Sequence, residues 1–362
     1  MKILYGVQAT GNGHITRARA MAPALQQQGL QVDYLFSGRR PEQLFDMEPF
    51  GNYRCRQGLS FRTHQGKVAL WPTAKAIKPS VFFREVRDLD VSDYDLIISD
   101  FEPITAWAGF LAKKPVVGLG HQYAFMHPIP QQRGSLLARV VTRWFAPAKV
   151  RLGLHWHHFD QPILPPIAPV SVAPQAKVEG LYLVYLPFEC LGAIRRLLAP
   201  FKQYRFAIYH PEAERADEGN LQFYPPSRSG FHRTMAQACG VIGNAGFGLA
   251  SEALQMGKKL LVKPLAGQPE QVSNALTLEL LELAQVMDQL DTSVAEKWLQ
   301  QSPAHKIEYP DVAAAVAQWI AAGDLTTITE LAGELWRQSS CVESRAFAVN
   351  VLGEWLYLPD MT

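Results

Sequence analysis

Cysteine is scarce in this chain, and the four residues that occur, Cys55, Cys190, Cys239 and Cys341, lie far apart with no C-x-x-C pair. That pattern argues against a disulfide framework or a thiolate zinc site, and leaves buried free thiols in a reducing compartment as the expectation. No apolar run reaches about 18 residues, so no membrane-spanning helix is expected. The opening MKILYGVQATGNGH already reads as a strand and a loop, which leaves no room for a signal peptide and points to the cytoplasm. Low-complexity tracts and solenoid-length repeats are also lacking, which sets aside disordered and repeat architectures. Net charge is small, +2, but unevenly placed: residues 1–170 carry 20 Lys+Arg against 12 Asp+Glu, and the remainder carries 15 against 21.

With 362 residues, 48% hydrophobic and 19% charged, the chain is too long for one ordinary core and fits two domains of about 170 residues. The stretch Gln161 to Pro174, QPILPPIAPVSVAP, carries five prolines and favours an extended path. The expected division is therefore 1–165, a proline-rich linker 166–176, 177–335, and a C-terminal helical segment 336–362 that packs back on the first domain. Apolar runs before the linker read as strands at Lys2–Tyr5, Gln31–Phe36, Leu96–Ser99, Val116–Leu119 and Leu152–Trp156. After it come Leu181–Leu186, Arg205–Tyr209, Gly240–Gly243 and Lys259–Val262, again separated by helical patterns such as Phe231–Cys239. Strands alternating with helices imply two Rossmann-like α/β domains with parallel sheets, whose ligands bind at the carboxyl ends of the strands and so share an interdomain cleft.

The richest stretch runs from Gly243 to Ala275. Gly243-Asn244-Ala245-Gly246-Phe247-Gly248 turns sharply from a strand into a helix, and a helix opening so tightly presents unpaired N–H groups to a diphosphate. Glu252, six residues after Gly246 and placed near the first turn, is suited to accept hydrogen bonds from two vicinal ribose hydroxyls. The helix closes at Gly257, and the strand Lys258–Pro264 leads to a polar loop in which Gln268, Glu270 and Gln271 form a surface suited to a hexose. Each feature alone also fits an ordinary βα connection with a solvated first-turn carboxylate.

On the other domain, Gly6 to Gly13 forms a glycine loop leading into the helix Ile15–Gln28, with His14 at the helix mouth. There the positive dipole end favours a neutral imidazole, available as a general base; helix capping or substrate contact is the alternative. Asp100, at the end of the run Asp95–Asp100, fits either a carboxylate that orients His14 or an N-cap for the helix from Ile104. His121 and Gln122 follow the next strand and line the acceptor side together with Gly11 and Gly13, although a lone His there is more often structural.

The residues from Gly243 to Ala275 resemble the donor motif of GT-B glycosyltransferases, closest to the peptidoglycan N-acetylglucosaminyltransferase family and a related set of bacterial and archaeal glycosyltransferases. The resemblance implies that Asn244, Gly246, Phe247 and Gly248 hold the nucleotide diphosphate, that Glu252 binds ribose, and that Gln268, Glu270 and Gln271 face the sugar. It also supports His14 as the base. The implied activity is metal-independent, inverting transfer from a nucleoside-diphosphate sugar, foremost a UDP-sugar, with the helix N-terminus and basic side chains taking the leaving-group charge. The nucleotide sugar is then a substrate, and no cofactor or nucleic acid is expected. A lipid-linked or cell-envelope glycan is a candidate acceptor. In Leu186-Pro187-Phe188-Glu189 the chain departs from the glycines that many relatives place against the phosphates.

Other signals point elsewhere. The pairs Asp88/Asp90 and Asp93/Asp95 match a metal-binding D-x-D, but they precede the strand at Leu96 and so lie at its amino end, away from the cleft. Gly11-x-Gly13 with Ser37-Gly38-Arg39-Arg40 suits an NADP-dependent reductase, yet Thr16 replaces the third glycine of that fingerprint. A non-catalytic sugar-nucleotide binding protein is a further alternative. Gln132–Arg151 combines apolar residues with five basic ones, which fits a core helix with a basic face or a peripheral contact with the inner face of the plasma membrane.

Overall fold

The computed structural model describes residues 1–59, 63–64, 67–68, 79–132, 143–168, 175–302, 306–340, 346–349 and 355–358. In the first half, β1 (Lys2–Gln8), β2 (Gln31–Ser37) and β3 (Arg54–Arg56) precede a small hairpin of β4 (Thr63–His64) and β5 (Lys67–Val68). Then come β6 (Leu96–Asp100), β7 (Val116–Gly120) and β8 (Val150–Gly153). The sheet order is β3-β2-β1-β6-β7-β8, with every pairing parallel. Central strands such as β1, KILYGVQ, are buried on both faces, which is why they read as unbroken apolar runs. Flanking helices are α1 (Asn12–Gln27), α2 (Pro79–Arg87), α3 (Pro103–Leu111) and the short α4 (His121–Ala124). Gly6 lets α3 lie close over β1, since a β-carbon there would meet Thr105 Oγ1 at 2.0 Å.

The second half repeats the plan. Its sheet runs β11-β12-β10-β9-β13-β14-β15, from β9 (Leu181–Tyr185), β10 (Arg205–Tyr209), β11 (Ala216–Glu218), β12 (Leu221–Tyr224), β13 (Gly240–Asn244), β14 (Lys259–Lys263) and β15 (Gln285–Val286). Only the β11–β12 pair is antiparallel. The helices are α5 (Leu191–Leu198), α6 (Arg228–Gln237), α7 (Phe247–Gln255), α8 (Pro269–Leu280), α9 (Thr292–Gln300), α10 (Val312–Ala322) and α11 (Ile328–Gln338). In each sheet the strand order reverses beside the first strand of its domain, β1 or β9, and the crevice at that reversal is where such sheets take ligands.

The domains meet through an apolar core that continues from one to the other, with α10 and the start of α7 packed on α1. Fully buried Trp156 donates Nε1–H to Ser251 Oγ at 2.9 Å, and Trp336 donates to the Ile163 carbonyl at 2.7 Å. Pairing in the first domain runs as far as Leu164, which bridges to Leu154; residues 169–174 of the proline-rich stretch lie outside the described residues.

Three expectations are corrected. The last strand of the first sheet begins at Val150 and ends at Gly153, because Leu154–Trp156 turn toward the domain junction. The helix expected from Phe231 starts at Arg228, where Ser227 Oγ caps it by accepting from Gly230 N at 3.2 Å. Helix ends at Gln338 in the segment 336–362, which then pairs β16 (Ala346–Val349) with β17 (Trp355–Leu358) as an antiparallel hairpin. Phe347 and Val349 and the aromatic residues Trp355 and Tyr357 favour strands over a helix.

Candidate active site

The register of β1 on β6 sets Val7 level with Asp100, so the glycine loop after β1 and the carboxylate at the end of β6 come together. Gly11 is the N-cap of α1 and His14 is its third residue. Asp100 is fully buried, and its Oδ1 lies 2.6 Å from His14 Nδ1. The capping alternative for Asp100 fails because Glu102 fills that place. Glu102 accepts from Ile104 N at 2.9 Å and from Thr105 N and Oγ1, each at 2.7 Å, while Ser37 Oγ donates to it at 2.6 Å. Burial pushes the Glu102 carboxyl up against these bonds. Phe101 takes a left-handed φ of 50°, which separates the partner of His14 from the cap.

Arg17 completes the cluster. It stands three residues after His14 on the same face of α1, 7% exposed, with Nε donating to Asp100 Oδ2 at 2.8 Å and Nη2 to Asp100 Oδ1. Burial raises the Asp100 carboxyl, but the Arg17 charge and the His14 contact outweigh it and hold the group below the ordinary carboxylate range. Ionised Asp100 requires the proton of His14 on Nδ1, which leaves the Nε2 lone pair for a substrate. Nε2 has no hydrogen-bond partner among the described residues.

Across the cleft, β13 delivers Asn244 and α7 opens at its N-cap Gly246. Asn244 Nδ2 donates to the Lys263 carbonyl at 3.0 Å, while its buried Oδ1 has no partner among the described residues. A β-carbon on Gly248 would stand 3.5 Å from Gly13 Cα, so the two glycine loops face each other at close range. Glu252 belongs to the second turn of α7 rather than the first, and is buried at 8% exposure. Burial, opposed by the Arg228 charge, pushes its carboxyl up to about 7, and His232 Nδ1 lies 3.6 Å away. The solvated-carboxylate alternative does not describe this residue.

Several predicted contacts are placed differently. The loop thought to carry Gln268, Glu270 and Gln271 is the start of α8: Gln268 is its N-cap, accepting from Gln271 N at 3.0 Å, and Gln271 Oε1 accepts from Leu265 N at 2.9 Å. Both amide oxygens are engaged by backbone N–H groups, Gln268 as the cap and Gln271 on the preceding loop, which leaves their amide N–H groups. Glu270 accepts from Gln122 Nε2 at 3.0 Å, so an acceptor-side residue and a donor-side residue are joined. His121 lines no open surface. It is 1% exposed, stacks on Phe247 at 4.0 Å, and lies 2.8 Å from the Leu154 carbonyl through Nδ1 and 2.6 Å from Asn274 Oδ1 through Nε2. Phe247 also packs on Trp156 at 4.9 Å, so its ring belongs to the domain junction. Burial pushes the His121 imidazole down, against the Glu270 charge and those two polar contacts.

The sequence matches the Glycosyl transferase family 1 profile over residues 1–303. The chain belongs to that family. No curated protein matches the sequence significantly. Among solved structures, the transferase is similar to the kitacinnamycin glycotransferase at 13% identity, covering 93% of this chain and 98% of that one with a TM-score of 0.57. It also resembles LpCGTa in complex with UDP, at 14% identity, 94% and 99% coverage and a TM-score of 0.58. A third is the spinosyn rhamnosyltransferase SpnG complexed with thymidine diphosphate, at 16% identity, 93% and 96% coverage and a TM-score of 0.52. The fold is GT-B and the protein is a glycosyltransferase, which sets the reductase reading aside.

Sequence reasoning missed three features of the transferase. Arg17 reads as a solvent-facing helix residue until Asp100 is seen beside it. Asn274 joins the domains, donating to the Ala245 carbonyl at 2.9 Å while its Oδ1 faces His121. Lys263, at the carboxyl end of β14, donates to Glu189 Oε1 at 2.7 Å, so an ion pair occupies the loop after β9. Among the described residues no group of acidic, His or Cys side chains has the arrangement to hold a metal, and no helix is long and apolar enough to cross a membrane. Asp90 and Asp95 instead bind backbone, accepting from Ser92 N at 2.9 Å and Lys2 N at 2.7 Å.

Proposed function

We propose that the transferase moves a sugar from a nucleoside-diphosphate sugar, foremost a UDP-sugar, to an acceptor hydroxyl with inversion and without a metal. The observation that carries this reading is His14 held through Nδ1 by buried Asp100, with Nε2 free and the α1 mouth facing the glycine loop of the donor domain. As the acceptor oxygen attacks the anomeric carbon, its proton passes to His14 Nε2. The bond from that carbon to the diphosphate oxygen breaks, and the nucleoside diphosphate leaves with the electron pair. Asp100 keeps the imidazole in the working tautomer and stabilises the imidazolium that forms.

On the donor side, the first amides of α7, those of Phe247 and Gly248, meet the developing phosphate charge, while Gly246 N donates to the Asn244 carbonyl at 2.7 Å and shapes the turn, and Glu252 accepts from the ribose hydroxyls. The Gln268 and Gln271 amide N–H groups and the Glu270 carboxylate take the sugar hydroxyls. Pyrimidine nucleotides are the first to try, since two similar structures carry UDP and thymidine diphosphate. Thermal shifts with a panel of nucleotides and nucleotide sugars test the donor, because a ligand bound only by the native state raises the melting temperature. No rise with any pyrimidine nucleotide rejects the donor reading.

For the acceptor we favour a lipid-linked or envelope glycan, with the first domain in peripheral contact with the inner membrane face. Phe110 and Trp144 are about half exposed, and a cavity of about 410 Å³ beside them is lined by Lys113, Lys114, Arg143, Lys149 and Arg151. Aromatic rings amid basic side chains suit an anionic lipid surface. The patch lies at the amino ends of β7 and β8, so contact there leaves the cleft open. Residues 133–142 of the amphipathic stretch lie outside the described residues.

A further inference from the structure

We infer that Arg17 is a positioning residue of the general base, which keeps the partner carboxylate ionised while holding down the basicity of His14. The inference rests on the reading of His14 as the base.

A lone Asp100 carboxylate 2.6 Å from His14 Nδ1 would orient the ring but also favour its charged form strongly. The imidazole would then carry a proton before the acceptor arrives and have no lone pair to offer. Arg17 changes the partner that His14 meets. Its guanidinium fork grips both Asp100 oxygens from the buried side, so His14 faces a neutral ion pair in place of a bare anion. Arg17 Nη2 also stands 3.0 Å from His14 Nδ1, near enough to oppose a second positive charge on the ring. The hydrogen bond that His14 Nδ1–H donates to Asp100 keeps the tautomer, and the arginine limits the proton affinity. A lysine, with one point of charge, would not hold both oxygens in register.

The surroundings fit an arginine placed for charge. Tyr5, from β1, feels both charges of the pair, and its buried hydroxyl has no partner among the described residues. Glu270, from α8, acts on Arg17 from the donor side and also on His121, from α4. Burial weakens the Arg17 charge, but Asp100 and, to a lesser degree, Tyr5 and Glu270 restore it. Among the described residues the charged groups in contact with His14 are Asp100 on β6 and Arg17 on α1.

The experiment compares wild type, Arg17→Met and Arg17→Lys by two readouts. One is NMR titration of the His14 ring in histidine-labelled protein, assigned by its loss in His14→Gln. The other is the pH profile of slow hydrolysis of whichever UDP-sugar most raises the melting temperature. Arg17→Met should raise the titration midpoint and the acid limb together by about one pH unit, because a compensating charge within about 4 Å is lost. Donor KM should stay near the wild-type value. Arg17→Lys should keep the acid limb of the wild type and lower kcat, which separates charge from geometry. A purely structural role would lower the melting temperature and the rate at every pH without moving either midpoint, and that result overturns the inference. Should Arg17→Met fail to fold, Arg17→Gln removes the same charge with a polar side chain. If the ring midpoint moves and the acid limb does not, Arg17 acts as inferred and the assignment of His14 as base is what fails.

Discussion

Replacing Glu252 by Gln should stabilise the free transferase and weaken its grip on the nucleotide. The carboxyl is buried and pushed up to about 7, from an ordinary value of 4.5 in the unfolded chain. Below about pH 4.5 it is protonated in both states and the related stability is fully present. As pH rises, the unfolded chain ionises first, so stability falls until the native carboxyl ionises near 7. The accumulated loss is about 3 kcal/mol, at roughly 1.4 kcal/mol per pH unit. Glutamine keeps the shape without the charge and escapes this loss. Glu252→Gln should therefore melt roughly 6–12 °C higher at pH 8, taking about 2–4 °C per kcal/mol for a domain of this size. By pH 5 only about a quarter of that gain should remain. The same change should cost about 1.5–3 kcal/mol in UDP binding, since hydrogen bonds to a charged acceptor are lost. Scanning calorimetry at the two pH values decides the first part and titration calorimetry the second. An equal melting gain at pH 5 and pH 8 would refute the reasoning from burial, and unchanged UDP affinity would remove Glu252 from the donor site.

His14→Ala should lower turnover by roughly 10² to 10⁴ while UDP affinity by calorimetry stays near the wild-type value, because the base acts in the transition state; a parallel loss of UDP affinity would point to a binding role. Glu189→Gln should free Lys263 for the diphosphate and tighten UDP binding several-fold, by about 1 kcal/mol as expected for removing one nearby like charge from an anion site; unaltered affinity places that loop away from the phosphates. Trp144→Ala combined with Phe110→Ala should sharply reduce co-sedimentation with vesicles containing anionic lipid, each half-exposed aromatic contributing about 1 kcal/mol on further burial, and should leave donor hydrolysis unchanged. Retained vesicle binding rejects that face as the contact.

The two sheets were legible because strands buried on both faces read as continuous apolar runs, and the glycine loops because a sharp strand-to-helix turn leaves few residue choices. Asp100 was ambiguous since a helix cap and a histidine partner look alike in sequence. Only the position of Glu102, whose carboxyl fills the cap, separates them. Arg17 was out of reach for another reason: its burial depends on a carboxylate 83 residues away. Phe247 and His121 were each sought on a ligand surface, yet their rings stack on each other across the domain junction, a contact that no local pattern encodes. Gln268 and Gln271 were read as loop residues because a glutamine cap on a proline-initiated helix resembles a polar turn. β12, LQFY, escaped because Gln222 interrupts its apolar run.

The central claim is inverting transfer with His14 as base, and time-resolved proton NMR of an α-linked UDP-sugar during turnover tests it most directly. The anomeric signal of the first sugar released, read before mutarotation, should be that of the β-configured product, and its appearance should slow by at least about a hundredfold in His14→Ala. An α-configured first product, or equal release by wild type and His14→Ala, would contradict it.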